Sequence, residues 1–134
     1  MRGFKARELE ISPSAGGAIT RLACLYAHDK RVEIDSLLRK AGLSRRQIHD
    51  RNIRIDVRKQ IAFLNLVAQA MGDPLIGFHL SQVFDLRMAG LLYYVPASSE
   101  TLGEALQRVA RYCSIVNDGI KLTFRSKKID WSRV

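Results

Sequence analysis

Four consecutive polar residues have side chains that could read base edges in duplex DNA: Ser44, Arg45, Arg46 and Gln47. In the major groove, arginine matches the acceptor pair of guanine, and glutamine matches the donor and acceptor of adenine. A helical pattern and a glycine precede these residues, so residues 34–51 have the order of a helix-turn-helix. One hypothesis is therefore a small basic DNA-binding protein that uses this segment.

The same segment is also typical of an ordinary corner between two helices. Leu38 is bulky where crossing helices usually need a small residue, and Arg51 falls where a recognition helix normally has an apolar side chain. A glycine before a capped polar helix occurs at many such corners. In this second interpretation the arginines face water, and the sequence pattern leaves both interpretations open.

Residues that could support catalysis or hold a metal are scattered along the chain. His28, His49 and His79 lie in three segments, without a second histidine or a carboxylate at ligand spacing. The common nucleophile, zinc-protease, phosphate-loop and dinucleotide motifs are missing from the sequence. Cys24 and Cys113 lie in apolar helical patterns, so we expect buried thiols in a reducing compartment. The sequence predicts no catalytic residues, no metal site and no cofactor.

Length and composition indicate a globular domain with a basic surface. The chain has 134 residues, 47% of them hydrophobic, and a net charge of +9. That charge favours nucleic acid first and a membrane surface second, although a basic protein without a polyanionic ligand fits as well. No apolar run is long enough to span a membrane, and the N-terminus lacks the apolar stretch of a secretory signal. We expect a cytoplasmic protein that does not enter the membrane.

Helical periodicity and capping signals predict the elements that must position these residues. Helices are expected at residues 15–28, 35–41, 44–49, 56–71, 75–83 and 101–113. Their clearest starts are the cap residue Asp56, the pair Asp73-Pro74 and the capping-box spacing of Thr101 and Glu104. In the 56–71 helix, Ile61 is expected on the apolar face.

Residues 120–125 alternate apolar and polar side chains, as a half-buried strand does. The partner of this strand would be either the apolar patch at residues 9–11 or strands beyond residue 134. We therefore expect a mainly α fold with a small β element (α+β). It would be a compact multi-helix domain with a C-terminal strand, incomplete at its end. The expected divisions are an arm at residues 1–14, a domain at 15–125 and a basic tail at 126–134.

Several short motifs occur in an order that resembles one protein family. They are Ala41-Gly42-Leu43, Gly72-Asp73-Pro74-Leu75, Ala89-Gly90-Leu91 and Thr101-Leu102-Gly103-Glu104-Ala105-Leu106, followed by Arg111-Tyr112. From about residue 15 to 124 the chain resembles the N-terminal effector-sensing domain of AraC-type transcription regulators, in the arabinose-binding-like branch. These regulators read DNA with a separate C-terminal pair of helix-turn-helix units. The resemblance therefore implies that the 34–51 corner belongs to the sensing domain, and that the chain is truncated before the DNA-reading domain.

The resemblance implies a non-catalytic ligand-sensing or dimerisation domain. Its partners would be a small-molecule effector, a second copy in a homodimer or a relative in a mixed dimer, and DNA only through the C-terminal domain. Tyr93, Tyr94 and Tyr112 could line an apolar ligand pocket, or could be core and rim aromatics. A further alternative is a partner-binding fragment that forms mixed dimers through an exposed edge at residues 120–124.

Overall fold

A computed structural model of the chain describes residues 12–125, and helices dominate this part. Its α-helices are α1 (Ala18–Asp29), α2 (Ile34–Lys40), α3 (Arg45–His49), α4 (Val57–Met71), α5 (Ile76–Val83), α6 (Leu91–Ala97) and α7 (Leu102–Val116). A 3-10 helix, Leu86–Ala89, precedes α6, and two short strands, β1 (Ser14–Ala15) and β2 (Ile55–Asp56), pair antiparallel. The prediction of a mainly α fold with a small β element is confirmed.

Two of the predicted divisions, and the apolar patch proposed as a strand partner, lie largely outside the residues that the structure describes. The arm at residues 1–14 lies almost entirely outside the described residues. The apolar patch at residues 9–11 and the tail at 126–134 lie entirely outside them.

Helix starts follow the capping residues. The Asp56 carboxylate accepts a hydrogen bond from the Arg58 N–H at 2.8 Å, and the Thr101 hydroxyl accepts one from the Glu104 N–H at 3.2 Å. Asp73 accepts from the Leu75 N–H at 3.0 Å, but it caps a turn, and α5 begins only at Ile76. Side-chain acceptors at these places satisfy N–H groups that the first helical turn leaves without partners.

The hydrophobic core lies among α1 to α5. Its largest fully buried side chains are Phe63, Leu38, Ile55, Leu80 and Val67. By contrast, α6 and the 3-10 helix bury no residue, and α7 buries only Cys113. The second half of the described chain is therefore a helical layer that is less deeply packed than the first.

The buried face of α4 differs from the expected one. Ile61 is 52% exposed, whereas Gln60, Phe63 and Val67 are buried. Apolar residues occur nearly all around this helix, so periodicity left its orientation ambiguous. The contacts with α1 and α2 select the face that carries the aromatic ring of Phe63.

Strand β1 joins the two halves of the described chain. Ala15 pairs with Ile55 on one edge and bridges Asn117, just past α7, on the other. On the second edge the Gly16 N–H donates to the Val116 carbonyl at 2.9 Å. The start of the described chain thus holds the C-terminal end of α7 against the core.

The predicted strand at residues 120–125 is wrong. These residues have no regular secondary structure and are exposed, including Ile120, Leu122 and Phe124. Both edges of β1 are already occupied, by β2 and by Asn117, and the segment pairs with no described strand. Alternation of side chains makes a strand only where a partner supplies the backbone hydrogen bonds.

Candidate functional site

A cleft of about 540 Å³ lies where the core meets the α6–α7 layer. Its described lining includes Ile19 of α1, Gly77 of α5, Phe84, Val109 of α7 and Ile120. No charged side chain is among the lining residues that the structure describes, although the chain carries a net charge of +9. A concave, mainly apolar surface of this size is typical of a site for a small molecule.

A few polar groups reach the cleft. Gln60 lines it with only 4% of its surface exposed, and Ser81 and Asn117 line it as well. The Ser81 hydroxyl donates to the Phe78 carbonyl at 2.6 Å, and the Asn117 side-chain oxygen accepts from the Gly119 N–H at 3.0 Å. Apolar walls would contribute most of the binding energy for a ligand, and these groups would orient it.

Close packing at the start of α1 shapes one wall. Gly17 has a φ of 68°, and a Cβ placed on it would lie 2.6 Å from the Cδ1 atom of Ile55. The left-handed backbone therefore favours glycine at this position, and any larger residue would also have to displace the end of the Ile55 side chain. The backbone of residues 15–18 can then run along the cleft.

Arg54 holds the backbone beside the cleft residues Ala15 and Val116. Its guanidinium donates to the Ser14 hydroxyl at 2.7 Å, to the Ser14 carbonyl at 2.8 Å and to the Ile115 carbonyl at 2.8 Å. Asp118 extends this cluster, with its carboxylate 3.5 Å from Arg54 Nη2. The cluster connects β1, the residue before β2 and the last turn of α7 through one side chain.

The three tyrosines predicted as ligand contacts lie on α6 and α7, close in sequence to the cleft residues Leu92 and Cys113. Tyr93 and Tyr94 pack edge to face with ring centroids 5.2 Å apart, and Tyr94 is 60% exposed. Tyr112 is half-buried, next to the cleft residue Cys113. None of the three is among the described residues that line the cleft, and their contact with a ligand stays a prediction.

Sequence reasoning missed Gln60, Gly77 and Cys113 as parts of one surface. The available signal was a polar Gln60 on the same helical stripe as Phe63 and Val67. A buried amide among apolar neighbours often marks a place where a ligand or water supplies a partner.

The residues predicted to read DNA have local partners in the structure. Ser44 and Gln47 form a complete capping box at the start of α3, which is only five residues long. Arg45 makes a two-pronged ion pair with Asp35 of α2, at 2.5 and 2.8 Å. Arg46 is exposed. A helix of this length is roughly 7.5 Å long, which is less than the width of the major groove, about 12 Å. DNA reading by this segment stays a prediction.

Hydrogen bonds lower the pKa of two carboxyl groups, one at the α2–α3 corner and one before α5. The Arg45 guanidinium holds the pKa of Asp35 below its ordinary value, and His79, 2.7 Å from Asp73, does the same for that carboxyl. Both carboxyl groups are partly buried, with 41% of the Asp35 side chain and 16% of the Asp73 side chain exposed. No three histidine, cysteine or acidic side chains within residues 12–125 are grouped as a metal site would require.

Within residues 12–125, no single helix has both the length and the apolar character needed to cross a membrane. Helices α4 and α5 pass that test only as a pair, and they are bent by 101° at their junction.

A helical domain with an uncharged apolar cleft has the features of a small-molecule-binding module. The family model described as the arabinose-binding domain of AraC transcription regulators, N-terminal, matches residues 32–133. The chain belongs to this family, and so is a ligand-sensing regulatory domain. A search of curated proteins found no match.

Proposed function

We propose that this chain senses a small-molecule effector in the apolar cleft between the core and the α6–α7 layer. The observation that carries the proposal is an apolar cleft of about 540 Å³, without charged side chains in its described lining, in a member of a ligand-sensing family. Both layers contribute walls, so an occupant would contact α1, α5 and α7 together. Such a ligand would bind more tightly to the arrangement in which all three helices contact it than to any other arrangement. A ligand shifts a conformational equilibrium only through such a difference in affinity.

The lining favours an effector whose inserted part is uncharged and mainly apolar. A pentose such as arabinose carries several hydroxyl groups that must each find a hydrogen-bond partner when buried. The described lining offers few side-chain partners, of which Gln60 is the most deeply buried. The proposed effector therefore has an apolar body and one or two polar groups.

The proposal also covers catalysis, cellular location and binding partners. We propose that the domain, residues 15–125, is not catalytic and that it acts in the cytoplasm. We propose that it associates as a homodimer or with a related regulator, and that DNA contact belongs to a separate reader domain. Exposed apolar side chains on α5 and α6, among them Phe78, Leu91 and Tyr94, support association.

A blocking variant tests the proposed cleft. A Cβ at Gly77 would have no atom within 4 Å, so Gly77→Phe adds a ring to the cleft without a backbone clash. Gly103 on α7 has the same open surroundings but is not among the described cleft residues, which makes Gly103→Phe the matched control. We expect apolar compounds from a chemically diverse panel to raise the melting temperature by several degrees.

The shift should disappear in Gly77→Phe and persist in Gly103→Phe, measured by differential scanning fluorimetry. Sugars should produce little shift in either protein. Equal shifts in both variants, or stabilisation by arabinose alone, would contradict the proposed cleft.

A further inference from the structure

A second cavity, of about 430 Å³, lies at the corner formed by α1, α2 and α3. Arg21 and Cys24 of α1, Leu38 of α2 and Ile48 of α3 line it, together with Arg51. It shares no described lining residue with the apolar cleft, and its chemistry is different. The arginines at this corner converge on a concave surface, whereas the arginines of a DNA-reading helix face outward.

The wall of this cavity is strongly basic. Arg21, Arg45 and Arg51 line it with His28 and His49, and no acidic side chain is among the described lining residues. Asp35 neutralises Arg45 through their ion pair. Arg21 and Arg51 repel each other, and burial together with this repulsion lowers the pKa of Arg21. The cavity therefore holds a local excess of positive charge that a bound anion would offset.

Arg21 also has unused hydrogen-bonding capacity. Its Nη2 atom donates to the Gly16 carbonyl at 2.9 Å, whereas Nη1 is buried and has no hydrogen-bond partner within the described residues. A buried N–H group without a partner is costly, and a charged one more so. Nη1 is enclosed beside Gly17, so an anion in the cavity would offset the Arg21 charge across the cavity wall rather than bond this atom directly.

The floor of the cavity is apolar. Leu38 and Ile48 are buried core residues, and Ile34 lies beside them. Burial raises the pKa of the Cys24 thiol to about 11, so at neutral pH this group adds no negative charge. The floor suits a hydrocarbon or aromatic group, and the wall suits an anion.

We propose that this cavity binds a small amphipathic organic anion, with its carboxylate at Arg21 and Arg51 and its apolar part on Leu38 and Ile48. The DNA phosphate backbone shares the anionic chemistry, but it brings no apolar group to cover this floor. A free carboxylic acid uses both features. The inference does not depend on the apolar cleft, because the two cavities share no described residue.

The test uses the full chain and a matched pair of probes, 4-phenylbutyrate and its neutral amide, with titration calorimetry and amide chemical-shift mapping. Arg51→Gln removes one exposed cavity arginine, and Arg46→Gln removes the same charge from an exposed residue outside the described lining. We expect the acid to bind, to shift amides of α1 and α3, and to bind about tenfold more weakly to Arg51→Gln. Arg46→Gln should change its affinity less than about twofold.

A second variant, Leu25→Glu, places a carboxylate at an exposed position of the cavity rim and should weaken the acid but not the amide. Equal binding of acid and amide, or inorganic phosphate binding as well as the acid, would overturn the amphipathic-anion assignment. So would loss of binding in Gly77→Phe with no effect of Arg51→Gln, which would place the probe in the apolar cleft. Duplex DNA binding that is weakened by Arg51→Gln, without binding of the acid, would overturn the proposal in favour of DNA as the occupant of the cavity.

Discussion

The Cys24 thiol lies in the wall of the basic cavity with 7% of its surface exposed. Burial raises its pKa to about 11, and Asp35 adds to the shift, while Arg45 opposes it. Because the thiolate is the reactive form, a raised pKa means less nucleophile at any pH below that value. Three arginines in the lining do not reverse the effect of burial.

Alkylation of Cys24 by iodoacetamide should therefore be slow and should rise about tenfold per pH unit from pH 7 to 9. The variant Cys113→Ala leaves Cys24 as the single cysteine, and N-acetylcysteine serves as the reference thiol. At pH 8 the thiolate fraction of Cys24 should be on the order of a hundredfold lower than that of the reference. Unfolding in urea should remove the difference, and a rate that levels off near pH 8.5 in the folded protein would contradict the raised pKa.

Arg45 illustrates what single residues in a sequence conceal. Its type and position fit base reading, yet its guanidinium is paired with Asp35, ten positions earlier. Local spacing correctly predicts the capping box of Ser44 and Gln47, because both partners lie within one helical turn. The ion pair depends on how α2 and α3 are packed, and local spacing does not define that arrangement.

Helix α7 is positioned by contacts along its length. At its start, Thr101 caps the helix, as the sequence predicts. Midway along it, Arg108 donates to the Val95 carbonyl of α6 at 3.3 Å. At its last turn, Arg54 donates to the Ile115 carbonyl, and Gly16, just after β1, donates to the Val116 carbonyl. Only the first of these contacts is local, so the sequence predicted where α7 begins but not what it is attached to.

Removal of the Arg54 side chain should loosen this attachment. Arg54→Gln loses the hydrogen bonds to Ser14 and Ile115, and we expect the free energy of unfolding to fall by about 1–3 kcal/mol. Arg39→Gln, an exposed arginine on α2, is the matched control and should change it by less than about 0.5 kcal/mol. Urea unfolding followed by circular dichroism measures both. Equal stability of the two variants would show that the Arg54 contacts contribute little.

Elements differ in how far periodicity determines them. Six of the seven described α-helices were predicted within a few residues because their caps and apolar spacing agree, whereas α6 was not predicted as a helix. The segment at residues 120–125 has the alternation of a strand. In β1, however, Ala15 already pairs with Ile55 on one edge and with Asn117 on the other. A strand forms only if another segment, often distant in sequence, pairs with it. The alternating pattern alone was therefore insufficient to predict a strand at residues 120–125.

Across the whole described chain, burial is uneven, and the cleft lies at the boundary. The core cluster extends from Leu22 to Leu80, whereas large apolar side chains such as Leu86, Leu91 and Leu102 are more than 60% exposed. The sequence predicted a domain with a real core, and the motif order indicated its family. The cleft itself could not be predicted, because its walls come from α1, α4, α5 and α7, and their packing defines it.

This uneven burial predicts uneven local stability. Amide protons of α1 and α4 should exchange with solvent at least about tenfold more slowly than those of α6, because opening α6 exposes no buried side chain. Hydrogen–deuterium exchange with mass spectrometry measures this, and Arg54→Gln should speed exchange in α7 while leaving α4 unchanged. A ligand in the cleft should slow exchange in α5 and α7 together, since it would contact both. Uniform protection from α1 to α7 would mean that the core and the α6–α7 layer open as one unit. That result would contradict the proposal that an effector acts by changing the arrangement of these two layers.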